Sequence, residues 1–340
     1  MSGLLIPRAT IKSIAAECGV SAQTVSRIAN GHDAMHRQET VLKVREAMAR
    51  LGFLPSSSAR SMRSGRTGVV ALLQQAGGGS YLPFELLDGI SESVEAAGLQ
   101  LAVARVGISP DGQLESLPKI LCERRADALL VNLSGAFCER LEQEIEAKGF
   151  PSVWLNVQRN FDSVSPDDFA GGQAAAEYLR SQGAKDVFYI HSSCGAHYSA
   201  KARRDGVESG AKALGLGFNS ITSTSSETFL SAADVMAFFK ANGMPSSIAA
   251  YTVESLVLAV SAFASVAGAE AAAAIPKICF GRAELDFSAL PAPFLRIPFR
   301  EVGQDAVAMA LKKLEPGMAP SKLPSVRTPY PTDINILNPA

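Results

Sequence analysis

Cysteine is sparse in this chain: five in 340 residues, with no CxxC pair among them. Cys18, Cys122, Cys138, Cys194 and Cys279 are scattered and odd in number, which excludes a disulfide framework and a zinc ribbon and suits a reducing compartment. Long apolar runs are missing too, since no stretch reaches the roughly 20 residues that a membrane-spanning helix needs. The N-terminal MSGLLIPRATI has neither the apolar core nor the small-residue cleavage pattern of an export signal. These absences predict a cytoplasmic protein with no membrane partner. Catalytic signatures are equally scarce. There is no GxSxG elbow, no HExxH pair and no kinase-like set, and the four histidines (His32, His36, His191 and His197) do not form a base for any serine or cysteine nucleophile. No enzyme activity and no cofactor are expected.

Net charge is nearly absent as a total, −1, but not as a distribution. Residues 1–66 hold ten Lys/Arg against four Asp/Glu, a net of +6, while residues 67–340 carry a net of −7. A basic head on an acidic remainder suits a chain that meets a polyanion with one part only. Within the head, Thr10 to Asn30, TIKSIAAECGVSAQTVSRIAN, has the pattern of two short helices joined by a tight turn. Thr10 is the first N-cap; Ile11, Ile14 and Ala15 share a helical face; Gly19 suits the turn; Ser21 caps the second helix. Val20, Val25 and Ile28 are expected inside. Ser21, Ala22, Gln23, Thr24, Ser26, Arg27 and Asn30 then form an outward polar face, with small hydroxyls for phosphates and two long side chains that reach base edges.

A third helical pattern runs from Gln38 to Leu51 through Val41, Val44, Ala47 and Met48 and stops at Gly52. After it, FLPSSSARSMRSGRTG reads as a short serine-capped helix carrying Ala59 and Met62, with Arg60, Arg63 and Arg66 supplying positive charge. Alone in water such a helix is marginal. DNA and a second copy of the chain are its natural partners. The run VSAQTVSRIANG, the third helix and then FLPSSSARSMRSGRTG together resemble the LacI/GalR (lactose-repressor) family of bacterial transcription regulators, and the resemblance extends over the whole chain. It implies that Ala22, Gln23 and Arg27 read bases, that Thr10, Ser21, Thr24, Ser26 and Asn30 hold phosphates, and that Ala59 packs paired hinge helices while Met62 wedges into a minor-groove step. The family usually has leucine at Met62; methionine keeps a long flexible apolar side chain.

About 275 residues remain after the head, more than one core usually holds, so two lobes are expected. TGVVALLQQ, LQLAVARV, ADALLVNLSG, PSVWLNV, DVFYIHSS, SIAAYTV and PKICFG read as strands, alternating with helical segments such as FELLDGISESVEAAG, LPKILCERR, LEQEIEAKG, GGQAAAEYLRSQG and ARRDGVESGAKALG. Such alternation predicts parallel sheets covered on both faces. By resemblance this is the α/β periplasmic-binding-protein-like core of two doubly wound lobes, crossed three times by the chain near 165, 297 and 327, with a small molecule in the cleft. The domains expected are 1–52 for the helix-turn-helix, 53–66 for the hinge helix and linker, and 67–340 for the effector-binding and dimerisation core.

Ligands of doubly wound sheets lie beyond the C-terminal ends of strands. The resemblance implies effector contacts at or near Asn156, His197, Ser199, Arg203 and Glu254, and the RxxG spacing from Arg203 to Gly206 follows the family's pattern. A fixed guanidinium suits a sugar hydroxyl pair, a carboxylate or a phosphate. Several positions depart from the family. Asp167-Asp168 stands for its Asp-Asn, Val253-Glu254 for its Asn-Asp, and Gly281-Arg282-Ala283-Glu284 for its Gly-Phe-Asp-Asp; Pro276 to Gly281 is about two residues short, and Ile297 takes a place often polar. Two other motifs point elsewhere only weakly. His191, Cys194 and His197 lack a fourth ligand, so no metal is expected. Gly77-Gly78-Gly79-Ser80 lacks the lysine and spacing of a phosphate loop.

The sequence therefore predicts a sequence-specific DNA-binding repressor. Its expected partners are double-stranded operator DNA of pseudo-palindromic sequence, a second copy of itself, and a small polar effector, a sugar or related metabolite. The final INILNPA shows no heptad tail, so no tetramer-forming coiled coil is expected. Two other readings stay open: a regulator that needs no effector, and a solute-binding core whose head associates with nucleic acid only loosely.

Overall fold

Thr10 begins the first helix because its side chain satisfies an amide that the helix itself cannot. The Ser13 amide donates to Thr10 Oγ1 at 3.1 Å and the Thr10 amide donates to Ser13 Oγ at 2.9 Å, a reciprocal cap. The computed structural model describes residues 9–53, 65–76, 81–109, 111, 113–133, 139–192, 197–223, 229–281, 292–318, 321–331 and 335–336. The chain divides into two units, Met1–Thr67 and Gly68–Ala340.

In the first unit, α1 (Ile11–Cys18) ends at Gly19, whose φ of 64° and ψ of 32° are the left-handed values glycine adopts at little cost. Ser21 then caps α2 (Ala22–Ala29), its Oγ accepting the Thr24 amide at 3.1 Å. A 3-10 turn at Asp33–Met35 leads to α3 (Gln38–Arg50). Ile14, Ala15, Cys18, Val25, Ile28, Val41, Val44 and Ala47 form the buried core, with Ile11, Val20, Met48 and Phe53 against it. Leu51, expected to continue the apolar face of α3, is its C-cap and is exposed. Gly52 at φ 60° turns the chain there, and Phe53 folds back with its amide on Met48 O at 2.9 Å. Ser21→Ala is expected to cost about 1 kcal/mol, read as a roughly fivefold loss of hydrogen-exchange protection across the α2 amides. Unchanged protection would remove Ser21 as the start signal.

The second unit begins with β1 (Val69–Gln75), α4 (Phe84–Ala96), β2 (Gln100–Ile108), β3 (Leu114–Ser116), α5 (Lys119–Cys122), β4 (Ala128–Asn132), α6 (Glu139–Ala147), β5 (Ser152–Leu155) and β6 (Ser163–Pro166). A second lobe follows: α7 (Asp168–Ser181), β7 (Asp186–His191), α8 (Tyr198–Ala213), β8 (Gly217–Thr222), α9 (Ala232–Asn242), β9 (Ile248–Ala250), α10 (Val253–Ala267), α11 (Ala269–Ala274), β10 (Lys277–Gly281) and β11 (Pro293–Arg296). The chain returns to the first lobe with α12 (Phe299–Lys313) and β12 (Val326–Thr328), then adds β13 (Asn335–Ile336) to the second. The strand orders are β12-β6-β5-β4-β1-β2-β3 and β13-β11-β10-β9-β7-β8. All pairings are parallel except β2 with β3 and β11 with β13.

Both sheets are buried on two faces, and side-chain alternation sorts residues between them. In β1, Val70 and Leu72 face α4 and α12, whereas Ala71 and Leu73 face α5 and α6. In β7, Phe188 and Ile190 join the core under α9 and α10, whereas Val187 and Tyr189 join the one under α7 and α8. The order turns back between β1 and β4 in one lobe and between β7 and β9 in the other. Those are the places where doubly wound sheets open a crevice at their carboxyl ends.

Candidate nucleic-acid interface and inter-lobe site

In the first unit α2 presents the face expected from the sequence. Val25 and Ile28 are buried, while Ala22 and Gln23 are exposed and Thr24, Ser26 and Arg27 are half-buried on the outer side. Ser21 Oγ and Thr24 Oγ1 lie 2.9 Å apart, and Asn30 closes the helix with its side-chain amide on Ser26 O. Thr10 is exposed at the start of α1. Asp33 pairs with Arg45 and Glu17 with Arg50, so these carboxylates are engaged away from Arg27. The face therefore combines an exposed amide and a half-buried guanidinium with hydroxyls at a helix N-terminus, a donor set that phosphates and base edges can pair with. Ala59 and Met62 lie outside the described residues.

In the second unit four of the five effector residues expected from sequence come together. Arg203, on the first turns of α8, is 5 % exposed and not a surface cation. Its Nε donates to Asp168 Oδ1 at 2.8 Å, and its guanidinium lies 5.0 Å from the ring centre of Tyr251 and 4.9 Å from that of Phe280. Tyr330 OH donates to the same Asp168 oxygen at 2.7 Å. Burial works against the Arg203 charge, yet Tyr330, Asp168 and Tyr251 outweigh it and hold the guanidinium above its ordinary value. Ser199 is buried, with its Oγ 2.9 Å from Tyr251 OH and 2.7 Å from His197 Nδ1. His197 caps α8, its Nδ1 accepting the Ser199 amide at 3.3 Å, and its Nε2 lies 3.1 Å from Asn156 O in the other lobe. Asn156 is buried at the end of β5 with φ 55°, and its Oδ1 accepts from Tyr198 OH at 3.4 Å.

Glycines set this geometry. A Cβ on Gly206 would stand 2.1 Å from Phe169 O, and one on Gly172 would stand 2.4 Å from Arg203 O. The backbones of α7 and α8 thus touch, which brings Asp168 at the start of α7 against Arg203. Glu254 is the member that does not join: it is exposed on the first turn of α10, where its charge adds to the burial that pushes the Cys279 thiol up to about 12. Sequence reasoning missed Asp168, Tyr251, Tyr330, Tyr198 and Phe280. Only Asp168 had left a trace, as a departure from the family's Asp-Asn. His191, at the end of β7, stacks 4.2 Å from Tyr251, and burial together with Arg203 lowers its pKa. Asp168 Oδ2 and Tyr189 OH are buried and have no hydrogen-bond partner among the described residues. Cys194 and Arg282, Ala283 and Glu284 lie outside the described residues, as does Gly77-Gly78-Gly79-Ser80. Among the described residues no group of three or more His, Cys, Asp or Glu is placed to hold a metal, and no helix is long and apolar enough to cross a membrane.

Residues 10–56 match the family described as bacterial regulatory proteins, lacI family. The match covers the first unit's three helices. The chain is 30 % identical over 183 residues to the HTH-type transcriptional repressor PurR of Pectobacterium carotovorum subsp. carotovorum (strain PC1), covering 53 % of each chain. It is 31 % identical over 183 residues to PurR of Serratia proteamaculans (strain 568), again covering 53 % of each. The chain thus spans about half the length of the curated relatives it matches. In fold it is similar to the Lac repressor dimer bound to operator and the anti-inducer ONPF, with a TM-score of 0.69 at 20 % identity over 95 % of this chain and 96 % of that one. The transcriptional regulator CelR in its cellobiose complex gives a TM-score of 0.57 at 18 % identity over 95 % and 98 %.

Proposed function

We propose that this chain is a lacI-family regulator, a cytoplasmic, homodimeric transcriptional repressor that reads a pseudo-palindromic operator and answers to a small polar metabolite held between its lobes. The observation that carries the reading is the α2 face: a helix capped by Ser21, anchored by Val25 and Ile28, and presenting Gln23 and Arg27 outward within the segment that matches the family. In this reading Ala22, Gln23 and Arg27 meet base edges while Thr10, Ser21, Thr24, Ser26 and Asn30 meet phosphates. Ala59 and Met62 would pair at the operator centre, and the divisions proposed are 1–52, 53–66 and 67–340. It acts by binding, not by catalysis. One related fold was solved as a dimer on operator and another with cellobiose, which supports the dimer, the operator and a sugar-like effector.

The chemistry of the inter-lobe site narrows the effector. Asp168 already neutralises Arg203, so the pair favours a neutral molecule over an anion. The two orphaned buried oxygens, Asp168 Oδ2 and Tyr189 OH, would take hydroxyl partners. Asn156, His197, Ser199 and Arg203 would line that site, with Glu254 at its rim. A second reading has one observation of its own. Arg203 is stacked between two rings and ion-paired already, as a regulator without an effector would have it.

Selection of bound sites from random double-stranded DNA at physiological salt tests the whole. A two-fold related sequence is expected, and Gln23→Ala and Arg27→Ala should each lose about 1 to 3 kcal/mol at the preferred base pairs only. Binding without sequence preference, unchanged in both variants, would overturn the reading. A thermal-shift panel of sugars, sugar acids, sugar phosphates and nucleobases separates the effector readings.

A further inference from the structure

The strongest cation of the inter-lobe site already has an anion in place, and that anion is part of the chain. We propose that Asp168 sets the ligand specificity of the site: its carboxylate fills the anion position of the Arg203 clamp, and removing that one charge turns the clamp into a receptor for small oxoanions. The proposal rests on the reading of the inter-lobe site as the effector site.

The clamp has the parts that an anion site needs. Arg203 is 5 % exposed, and the rings of Tyr251 and Phe280, at 5.0 and 4.9 Å, fix the plane of its guanidinium. Its Nε donates to Asp168 Oδ1 at 2.8 Å, and the Tyr330 hydroxyl donates to the same oxygen at 2.7 Å. Among the described residues Nη1 and Nη2 make no hydrogen bond, and they are not wholly enclosed. Their N–H groups form the planar fork that carboxylates and phosphates accept.

Asp168 leaves this fork in place and cancels its charge. The carboxylate cannot move aside, because α7 and α8 meet backbone to backbone beside it: a Cβ on Gly206 would stand 2.1 Å from the oxygen of Phe169, the next residue. A ligand anion reaching Nη1 and Nη2 would gain from Arg203 and lose to Asp168 at nearly the same range. A hydroxyl or carbonyl meets the same donors without that repulsion. Among the described residues the neighbouring groups do not restore a positive charge. Arg204 is engaged by Asp205 and Glu208, Glu254 is a carboxylate on the exposed first turn of α10, and burial with Arg203 keeps His191 and His197 below the ordinary histidine value. Asp168→Asn keeps the shape and an oxygen for Arg203 Nε, and leaves the site with one positive charge in excess.

The test uses the full chain without DNA at neutral pH, with inorganic phosphate as the probe and sodium chloride at equal ionic strength as the reference, which removes general screening. The parent should have the same Tm in both salts. Asp168→Asn should have a higher Tm in phosphate and should bind it at least about tenfold more tightly than the parent. The double variant Asp168→Asn with Arg203→Met, uncharged at both positions, should not respond. A smaller difference between parent and Asp168→Asn, or a response that persists in the double variant, would overturn the proposal. If Asp168→Asn does not fold, nitrogen NMR of the arginine-labelled parent decides: the Arg203 Nε signal should hold its position as phosphate is added, and a saturable shift would overturn the assignment. Phosphate here is neither operator nor effector, so the selected-site experiment and the sugar panel can succeed or fail independently of this result.

Discussion

Replacing Arg203 with methionine is expected to destabilise the second unit by about 3 to 5 kcal/mol, because it leaves Asp168 buried without its counter-charge. Asp168 is 2 % exposed, and among the described residues the other donor to its Oδ1 is the Tyr330 hydroxyl. A single neutral hydrogen bond cannot replace a guanidinium that is both ion-paired and stacked on two rings. For a unit of this size the loss should appear as a fall in Tm of roughly 6 to 15 °C. The paired change Arg203→Met with Asp168→Leu removes both charges and should regain most of the loss. A single variant within about 1 kcal/mol of the parent would mean that the ion pair adds little net stability to the fold. Thermal denaturation of the three chains at one pH decides between these outcomes.

Gly206→Ala is expected to act on the same place from the backbone side. In an open helix the change would gain up to about 1 kcal/mol from helix propensity. Here the new methyl would stand 2.1 Å from Phe169 O and 3.0 Å from Gly172 Cα, both main-chain atoms that no rotamer can move. α7 and α8 must separate, at a net cost of about 3 kcal/mol or more, and Arg203 must draw away from Asp168. Gly210→Ala is the control. There the methyl meets Ala176 Cβ at 2.9 Å and Gln173 main-chain atoms at 3.1 and 3.2 Å, each farther than the 2.1 Å contact at Gly206, and a smaller loss is expected. Denaturation midpoints of the two variants should differ in that order; equal values would show that α7 and α8 can part freely.

The parts legible in the sequence are those where one residue type answers one local need. Thr10 and Ser21 were recognisable as caps because an oxygen at a helix start has a definite amide to accept. The interiors of β1 and β4 were recognisable because both faces are covered, leaving nearly continuous apolar runs. Short edge pieces were not. Among the described residues β8 pairs with one neighbour and alternates between exposure and partial burial, and β3, β12 and β13 are two or three residues long, so no period is visible in them. LPKILCERR shrinks to the four-residue α5. The inter-lobe site was half legible. The RxxG spacing marked Arg203 and its close-packing glycine, whereas Asp168 is 35 residues away, Tyr251 is 48 and Tyr330 is 127, and no spacing rule links them. Glu254 fell to the surface because the first turn of α10 points it outward while Val253 and Ser255 turn in.

The route of the chain between the lobes also orders events at the ribosome. The first lobe is begun first, yet one face of its sheet has α4 alone against it until α12 arrives with Phe299, Val302, Ala306, Val307, Met309 and Ala310. By then every strand of the second lobe through β11 has been made. The lobe that starts earlier is therefore the later to be sealed, and the part of the Val70, Leu72, Leu130 and Val153 surface that α4 leaves open waits through the synthesis of more than a hundred residues, about ten seconds or longer at ordinary elongation rates. That interval, more than any weakness of the finished fold, is where this chain is exposed to aggregation and most dependent on chaperones.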